Sequence, residues 1–98
     1  MLIRHGDVIL KPTREDLSLY TKKEGKVLAE GEVTGHAHRI TEGQAELYER
    51  DGTLYMRVIS PTAALTHEEH HRIDVPKGDY EIRIQREYEP DGWRYVAD

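Results

Sequence analysis

The sequence contains no cysteine and no phenylalanine. The lack of cysteine excludes disulfide bonds, thiolate metal ligands and a cysteine nucleophile, so any bound metal needs His, Asp or Glu as ligands. No stretch approaches the roughly 20 consecutive apolar residues of a membrane-spanning helix. The first residues also lack the apolar segment of a signal peptide. We therefore expect a cytoplasmic protein that has no membrane partner.

Positive charge is also scarce. The 98 residues include 14 Lys and Arg against 19 Asp and Glu, which gives a net charge of -5. A general attraction to nucleic acid or to an anionic membrane is therefore not expected, which leaves only a local basic patch for such contacts. The length fits a single β domain over residues 1–98. The low hydrophobic content, 37%, predicts a thin core and favours a homo-oligomer.

Strand signals dominate the chain. Short alternating or β-branched runs are separated by turn residues at intervals typical of all-β proteins. We predict a small antiparallel β-barrel or sandwich of about seven short strands. Residues 13–17 have a possible N-cap followed by acidic residues, which allows at most one or two short helical turns.

The clearest local prediction is a hairpin. Asp51-Gly52 lies between two alternating runs, 45–50 and 53–58, and this dipeptide favours a two-residue turn. Counting outward from the turn pairs Leu47 with Met56. The face that carries this pair is predicted to be core, because its other members are also apolar.

The second half of the chain is less clear. Residues 60–65 begin with Ser60-Pro61, which suits the start of a helix, whereas residues 73–75 look extended. Helix and strand therefore both remain open for residues 61–71. Residues 76–79 predict a tight turn before the alternating strand that starts at Tyr80.

Five of the six histidines lie in two short segments: His36, His38, His67, His70 and His71. His36 and His38 are two residues apart, so in a strand they project from one face. His67 and His71 are four residues apart and share a face in either a helix or a strand. His70 joins them only in a helix or a loop. The sixth histidine, His5, is expected to be an N-terminal surface residue.

All five clustered histidines are candidate metal ligands. Neutral imidazole binds zinc, nickel and iron, and a catalytic site needs three protein ligands with an open position for water. This pattern predicts a divalent-metal site, with hydrolysis of a small molecule or a phosphodiester as its activity. In that function Glu69 is a candidate general base.

Two alternatives use the same residues differently. Paired histidines without a metal or any other cofactor can cleave RNA, one accepting a proton and the other donating one. His38, His67 and His70 are the candidates for these roles, with Arg39 stabilising the phosphate. The other alternative is a non-catalytic oligomeric binding or assembly module. A structural reading is also open, in which the histidines only form hydrogen bonds in a polar interior or lie on a solvated surface.

Two resemblances follow from these motifs. GEVTGHAH at 31–38 and LTHEEH at 65–70 resemble a family of small uncharacterised bacterial proteins, which implies no particular activity. The His-x-His pair followed by Glu42 is similar to the first metal-binding motif of cupins. Residues 76–78 resemble the Pro-x-Gly turn of their second motif, although Glu81 stands where a cupin has a histidine. This weaker resemblance implies a barrel with a metal centre.

Overall fold

The computed structural model describes residues 2–30, 35–89 and 92–95. Its regular elements in these ranges are strands, apart from one 3-10 helical turn at Leu17–Leu19. The strands are β1 (Ile3–His5), β2 (Val8–Pro12), β3 (Thr21–Lys23), β4 (Val27–Glu30), β5 (Ala37–Glu42), β6 (Ala45–Arg50), β7 (Thr53–His67), β8 (His70–Ile84), β9 (Arg86–Glu89) and β10 (Gly92–Tyr95). The all-β prediction is confirmed. No helix among the described residues has the length and apolar character needed to cross a membrane.

Strands β1 to β8 form one curled antiparallel sheet, a half-barrel. Its main path runs β1-β2-β8-β7-β5-β4, and β6 pairs with both β7 and β3. The long strand β7 pairs with β8 from Leu54 to His67. Its other edge pairs first with β6 and then, beyond a gap, with β5. This change of partner divides the sheet into two halves that curl over a shared core. Strands β9 and β10 form a separate two-stranded hairpin.

The hairpin of β6 and β7 has the predicted register at all six pairs from Arg50–Thr53 outward to Ala45–Val58. Asp51 and Gly52 have φ values of 50° and 81°, the positive angles that a type I′ turn needs. The predicted core face is buried. The opposite face is also covered in part, because Leu17 packs on Tyr48 and Tyr55 in a small second cluster.

The predicted turn at residues 76–79 is wrong, because β8 continues through it to Ile84. Pro76 pairs with Thr62 and Gly78 pairs with Val58, so a single residue of β8 lies opposite three residues of β7. Such a bulge bends the sheet, and it accepts proline because no ladder hydrogen bond from that residue is required. The turn-forming residues are thus used to bend a long strand.

The segment 61–71 is a hairpin and contains no helix. β7 extends to His67, β8 begins at His70, and these two histidines pair across the turn at 68–69. Ser60 and Pro61, which suited the start of a helix, lie instead in the bulged part of β7. The sequence of residues 89–92, Glu-Pro-Asp-Gly, also predicts a turn, followed by a short strand over 93–96. Of these residues, Pro90, Asp91 and Val96 lie outside the described part of the chain.

The core draws side chains from both halves of the sheet. Its buried members are Val8, Leu10, Leu28, Ile40, Leu47, Met56, Val58, Ala63, Leu65, Val75, Tyr80 and Ile82. Leu65 is completely buried and stands two residues before His67. The apolar core therefore ends where the histidines begin, and its packing fixes the end of β7.

Replacing Leu65 by alanine is expected to lower the free energy of unfolding by about 2–5 kcal/mol, because it leaves a cavity in a packed core. Leu19→Ala is the matched control, since Leu19 is 80% exposed. This control is expected to change stability by less than about 0.5 kcal/mol. Urea unfolding of both variants measures the difference. Equal effects would contradict the described burial.

Candidate metal centre

Three segments meet at one end of the half-barrel. The turn between β7 and β8 carries His67 and His70. Strand β5 lies beside β7 through the pairing of Arg39 with Thr66, which places His38 next to this turn. The tight turn between β1 and β2 contributes Gly6 from the other side. Strand pairing thus brings together segments that are distant in sequence.

His38, His67 and His70 converge. Each offers a ring nitrogen, and the three nitrogens all lie within 4.8 Å of one another. The ring centroids of His38 and His67 are 4.4 Å apart, and those of His67 and His70 are 4.7 Å apart. His38 is buried, whereas the other two are partly exposed. This arrangement could hold a metal ion at a site that opens to solvent on one side.

His36 belongs to a second group, with His67 and Glu68, that could also hold an ion. The Nδ1 atom of His36 is buried and makes no hydrogen bond within the described part of the chain. Glu68, however, is already committed: it accepts hydrogen bonds of 3.0 Å from the Ala37 amide and of 3.0 Å from Arg39. The amide bonds, and then Arg39, lower the pKa of Glu68 to about 2. The first group is therefore the better site.

The structure corrects the expectation for His5, which is only 3% exposed. Its Nδ1 lies 2.9 Å from Nδ1 of His38, and its Nε2 lies 2.8 Å from the carbonyl oxygen of His71. Asp7 lies on the other side of His38, with 3.2 Å between Oδ1 and Nε2. The missed signal is that His5 pairs with Val8, a core residue, across the turn at 6–7.

Burial keeps His38 neutral at physiological pH. Loss of solvent is the largest cause that lowers its pKa, to about 4, and the nearby rings of His67 and His5 lower it further against the opposing charge of Asp7. Burial, followed by the charge of His70, also lowers the pKa of His67. Neutral rings retain a lone pair, and a metal ligand needs one.

A backbone hydrogen bond holds the ring of His67. The amide of Glu69 donates to Nδ1 of His67 over 3.0 Å, so the neutral ring carries its proton on Nε2. Nδ1 of His36 lies 3.4 Å from a carboxylate oxygen of Glu69. Glu69 therefore lies at the edge of the cluster, with its backbone and its side chain near different histidines.

Other predicted site residues lie apart from the convergent groups. The His71 side chain is exposed, and only the backbone carbonyl of this residue reaches the cluster. Glu42, the residue similar to a cupin ligand, is 65% exposed and bonds Arg72 at 2.6 Å. Arg39 is paired with Glu68. The ligand set and the second turn that the cupin resemblance implied are therefore not formed.

Fold and site together define a half-barrel protein with a candidate histidine metal centre. The profile of a family described as a domain of unknown function, DUF8820, matches residues 4–85, so the chain belongs to this family. The match includes all six histidines and ends before β9. The expectation of an uncharacterised family is confirmed. No curated protein and no solved structure matches the chain.

The lowered pKa of His38 predicts that acid destabilises the metal-free protein. The unfolded chain takes up a proton at His38 near pH 6.5, whereas the folded chain does so only near pH 4. This contribution to stability is therefore complete above about pH 6.5 and is lost as the pH falls towards 4. Urea unfolding in EDTA at pH 7 and pH 5.5 should show the decrease, and His71→Ala should retain it. Equal stability at both pH values would contradict this assignment.

Gly6→Ala tests the contact between the first turn and the site. A Cβ atom at this position would come within 2.7 Å of Nε2 of His70 and 3.0 Å of Cε1 of His38. Because the closest atom is the tip of a side chain, we expect the His70 ring to move. Gly52→Ala is the control, since Gly52 also has a positive φ but open space around it.

Both alanine variants should lose roughly 1–2 kcal/mol of stability from the left-handed backbone. Only Gly6→Ala should also shift the imidazole NMR resonances of His70 and His38. Unchanged resonances in that variant would contradict the described contact.

Proposed function

We propose that this protein binds a divalent metal ion through His38, His67 and His70. The ion would be zinc, nickel or iron, and the protein would use it to hydrolyse a small substrate. The observation that carries the proposal is the convergence of three ring nitrogens within 4.8 Å. Three protein ligands leave a coordination position for water, which a metal activates as a nucleophile near neutral pH. The partial exposure of His67 and His70 leaves solvent access for a substrate.

The electrostatics support a cation at this position. His38 is buried and its pKa is lowered to about 4, so it enters the site as a neutral ligand. No proton must then be displaced from His38 at pH 7. Neutral imidazole is a preferred ligand for zinc, nickel and iron.

Binding through His67 requires one rearrangement. If Nδ1 of His67 binds the ion, the ion takes the place of the Glu69 amide hydrogen at that nitrogen. If Nε2 binds the ion, the ring proton moves to Nδ1, which can then no longer accept a hydrogen bond from the Glu69 amide. The hydrogen bond is lost in both cases, at a cost of about 1 kcal/mol. Structural zinc sites contribute roughly 10–16 kcal/mol, so this cost does not prevent binding.

The metal-independent ribonuclease receives less support. Its general acid has to be protonated near neutral pH, whereas burial lowers the pKa of both His38 and His67. Arg39, the residue expected to hold phosphate, is paired with Glu68, and the nearby cation Arg72 is paired with Glu42. The geometry therefore favours metal binding over metal-independent cleavage of RNA. Homo-oligomer formation, the assembly-module alternative, the single-domain organisation and the cytoplasmic location stay predictions.

Metal titration of protein prepared without a His tag tests the proposal. We expect one Zn²⁺ or Co²⁺ per chain in calorimetry, a higher melting temperature with metal, and a shifted amide resonance of Glu69. His70→Ala should weaken binding at least tenfold. His71→Ala, which removes an adjacent but exposed ring outside both convergent groups, should bind as the wild type does.

Absence of metal binding by the wild-type protein would refute the proposal. Equal weakening of metal binding by both variants would contradict the assignment of His70 as a ligand. Hydrolysis is tested with chromogenic ester and phosphodiester substrates, where the metal-loaded protein should be active and the EDTA-treated protein inactive. A loaded protein without activity on either class would leave metal binding in place and refute the proposed hydrolase.

A further inference from the structure

His5 and Asp7 lie on either side of His38 and are joined to it by a continuous chain of contacts. The chain runs from the carbonyl oxygen of His71 to Nε2 of His5, then between the Nδ1 atoms of His5 and His38, and finally from Nε2 of His38 to Asp7. The three distances are 2.8, 2.9 and 3.2 Å. His5 and His38 are both at least 97% buried. Water therefore does not compete for the contact between these two rings.

The donors along this chain can be assigned from its first member. A carbonyl oxygen only accepts, so Nε2 of His5 carries a hydrogen and donates to His71. A neutral His5 then has its lone pair on Nδ1, and His38 must donate to it from its own Nδ1. The lone pair of His38 is thereby placed on Nε2, the nitrogen that faces Asp7.

A lone pair and an ionised carboxylate repel each other unless a cation lies between them. The distance from Nε2 of His38 to Oδ1 of Asp7 is 3.2 Å. Two ligand atoms on a tetrahedral zinc ion with bonds of roughly 2.0 Å are about 3.3 Å apart. The pair of atoms therefore has the separation of neighbouring ligands on one ion.

We propose that Asp7 is an additional ligand of the metal bound by His38, and that His5 is a positioning residue that turns Nε2 of His38 towards this ion. The inference rests on the proposed metal-binding function. With Asp7 the ion has four protein ligands, so the water of the proposed hydrolysis would take a fifth coordination position. Asp7 belongs to neither convergent group, so its carboxylate would have to turn to reach an ion that His67 and His70 also bind. Its side chain is 21% exposed.

The structure gives His5 the features of a supporting residue. A histidine that binds a metal through one ring nitrogen usually donates the N–H of its other ring nitrogen to a fixed acceptor. Loss of that acceptor typically lowers metal affinity 10–100-fold. Here the acceptor is Nδ1 of His5, and the His71 carbonyl fixes it in turn. The turn at Gly6 joins His5 and Asp7, so one short segment places both residues against His38.

Co²⁺ titration followed by visible absorption tests the two roles, because the spectrum reports the ligands and the titration reports affinity. Asp7→Asn keeps the shape of the side chain but removes its charge. We expect it to change the Co²⁺ spectrum and to weaken binding at least tenfold. The control is Asp74→Asn, which removes an exposed carboxylate that pairs with Arg72; its spectrum and affinity should equal those of the wild type.

For His5 the pair of variants is His5→Leu and His5→Gln. Leucine removes the acceptor, so we expect a 10–100-fold loss of Co²⁺ affinity with the spectrum of the wild-type ligand set. Glutamine can still accept and donate, and should recover part of that affinity. Circular dichroism identifies a variant that has not folded, and recovery in His5→Gln separates positioning from a general structural effect.

The outcomes are distinct. A wild-type protein that binds no Co²⁺ refutes the proposed function and this inference together. If the wild type binds but Asp7→Asn has the same spectrum and affinity, the role of Asp7 as a ligand is refuted. Equal losses in His5→Leu and His5→Gln would refute the positioning role of His5.

Discussion

The candidate site and the core both depend on the long hairpin of β7 and β8. Its turn at residues 68–69 holds His67 and His70 opposite each other, and its bulge lets one strand serve both halves of the sheet. β6 pairs with the first part of β7 and β5 with the last part, so the end of β5 that carries His38 is delivered to the turn. A straight hairpin of the same length would leave these segments on a flat sheet. The bend is therefore what encloses the histidines.

Placing histidines at the end of the core has a thermodynamic cost. A buried polar group without a partner costs about 1–3 kcal/mol, so each buried ring needs a bond. His5 and His38 meet this need through each other and through the backbone carbonyl of His71, while Nε2 of His38 faces Asp7. An apolar residue at either position would satisfy packing without any of these contacts. A ring nitrogen of His38 also lies within 4.8 Å of ring nitrogens of His67 and His70.

Local signals in the sequence predicted the fold well where a turn sets the register. Asp51-Gly52 fixes the hairpin of β6 and β7, and all six predicted pairs are present. The turn signal at Pro76 and Gly78 failed because proline and glycine also suit a bulge, and only the partner strand decides between the two. Sequence near these residues does not contain that information.

The candidate site was also predictable in part, because the spacing of residues along a strand sets the direction of their side chains. The spacing of His36 and His38 indicated a shared direction, and the structure brings both rings against His67. Choosing between His70 and His71 required the position of the turn, because a two-residue turn directs His70 inward. His5 was missed because its neighbours in space, His38 and the backbone of His71, lie 33 and 66 residues away along the chain.

Stability and binding are coupled at this site. The buried neutral His38 lowers stability in acid, while any ion that binds only the folded state adds stability in proportion to the logarithm of its concentration. An ion bound at 100 times its dissociation constant contributes about 2.7 kcal/mol, which is a large share of the stability of a small domain. Under the proposed function, such an ion would complete the histidine end of a domain whose apolar core is thin.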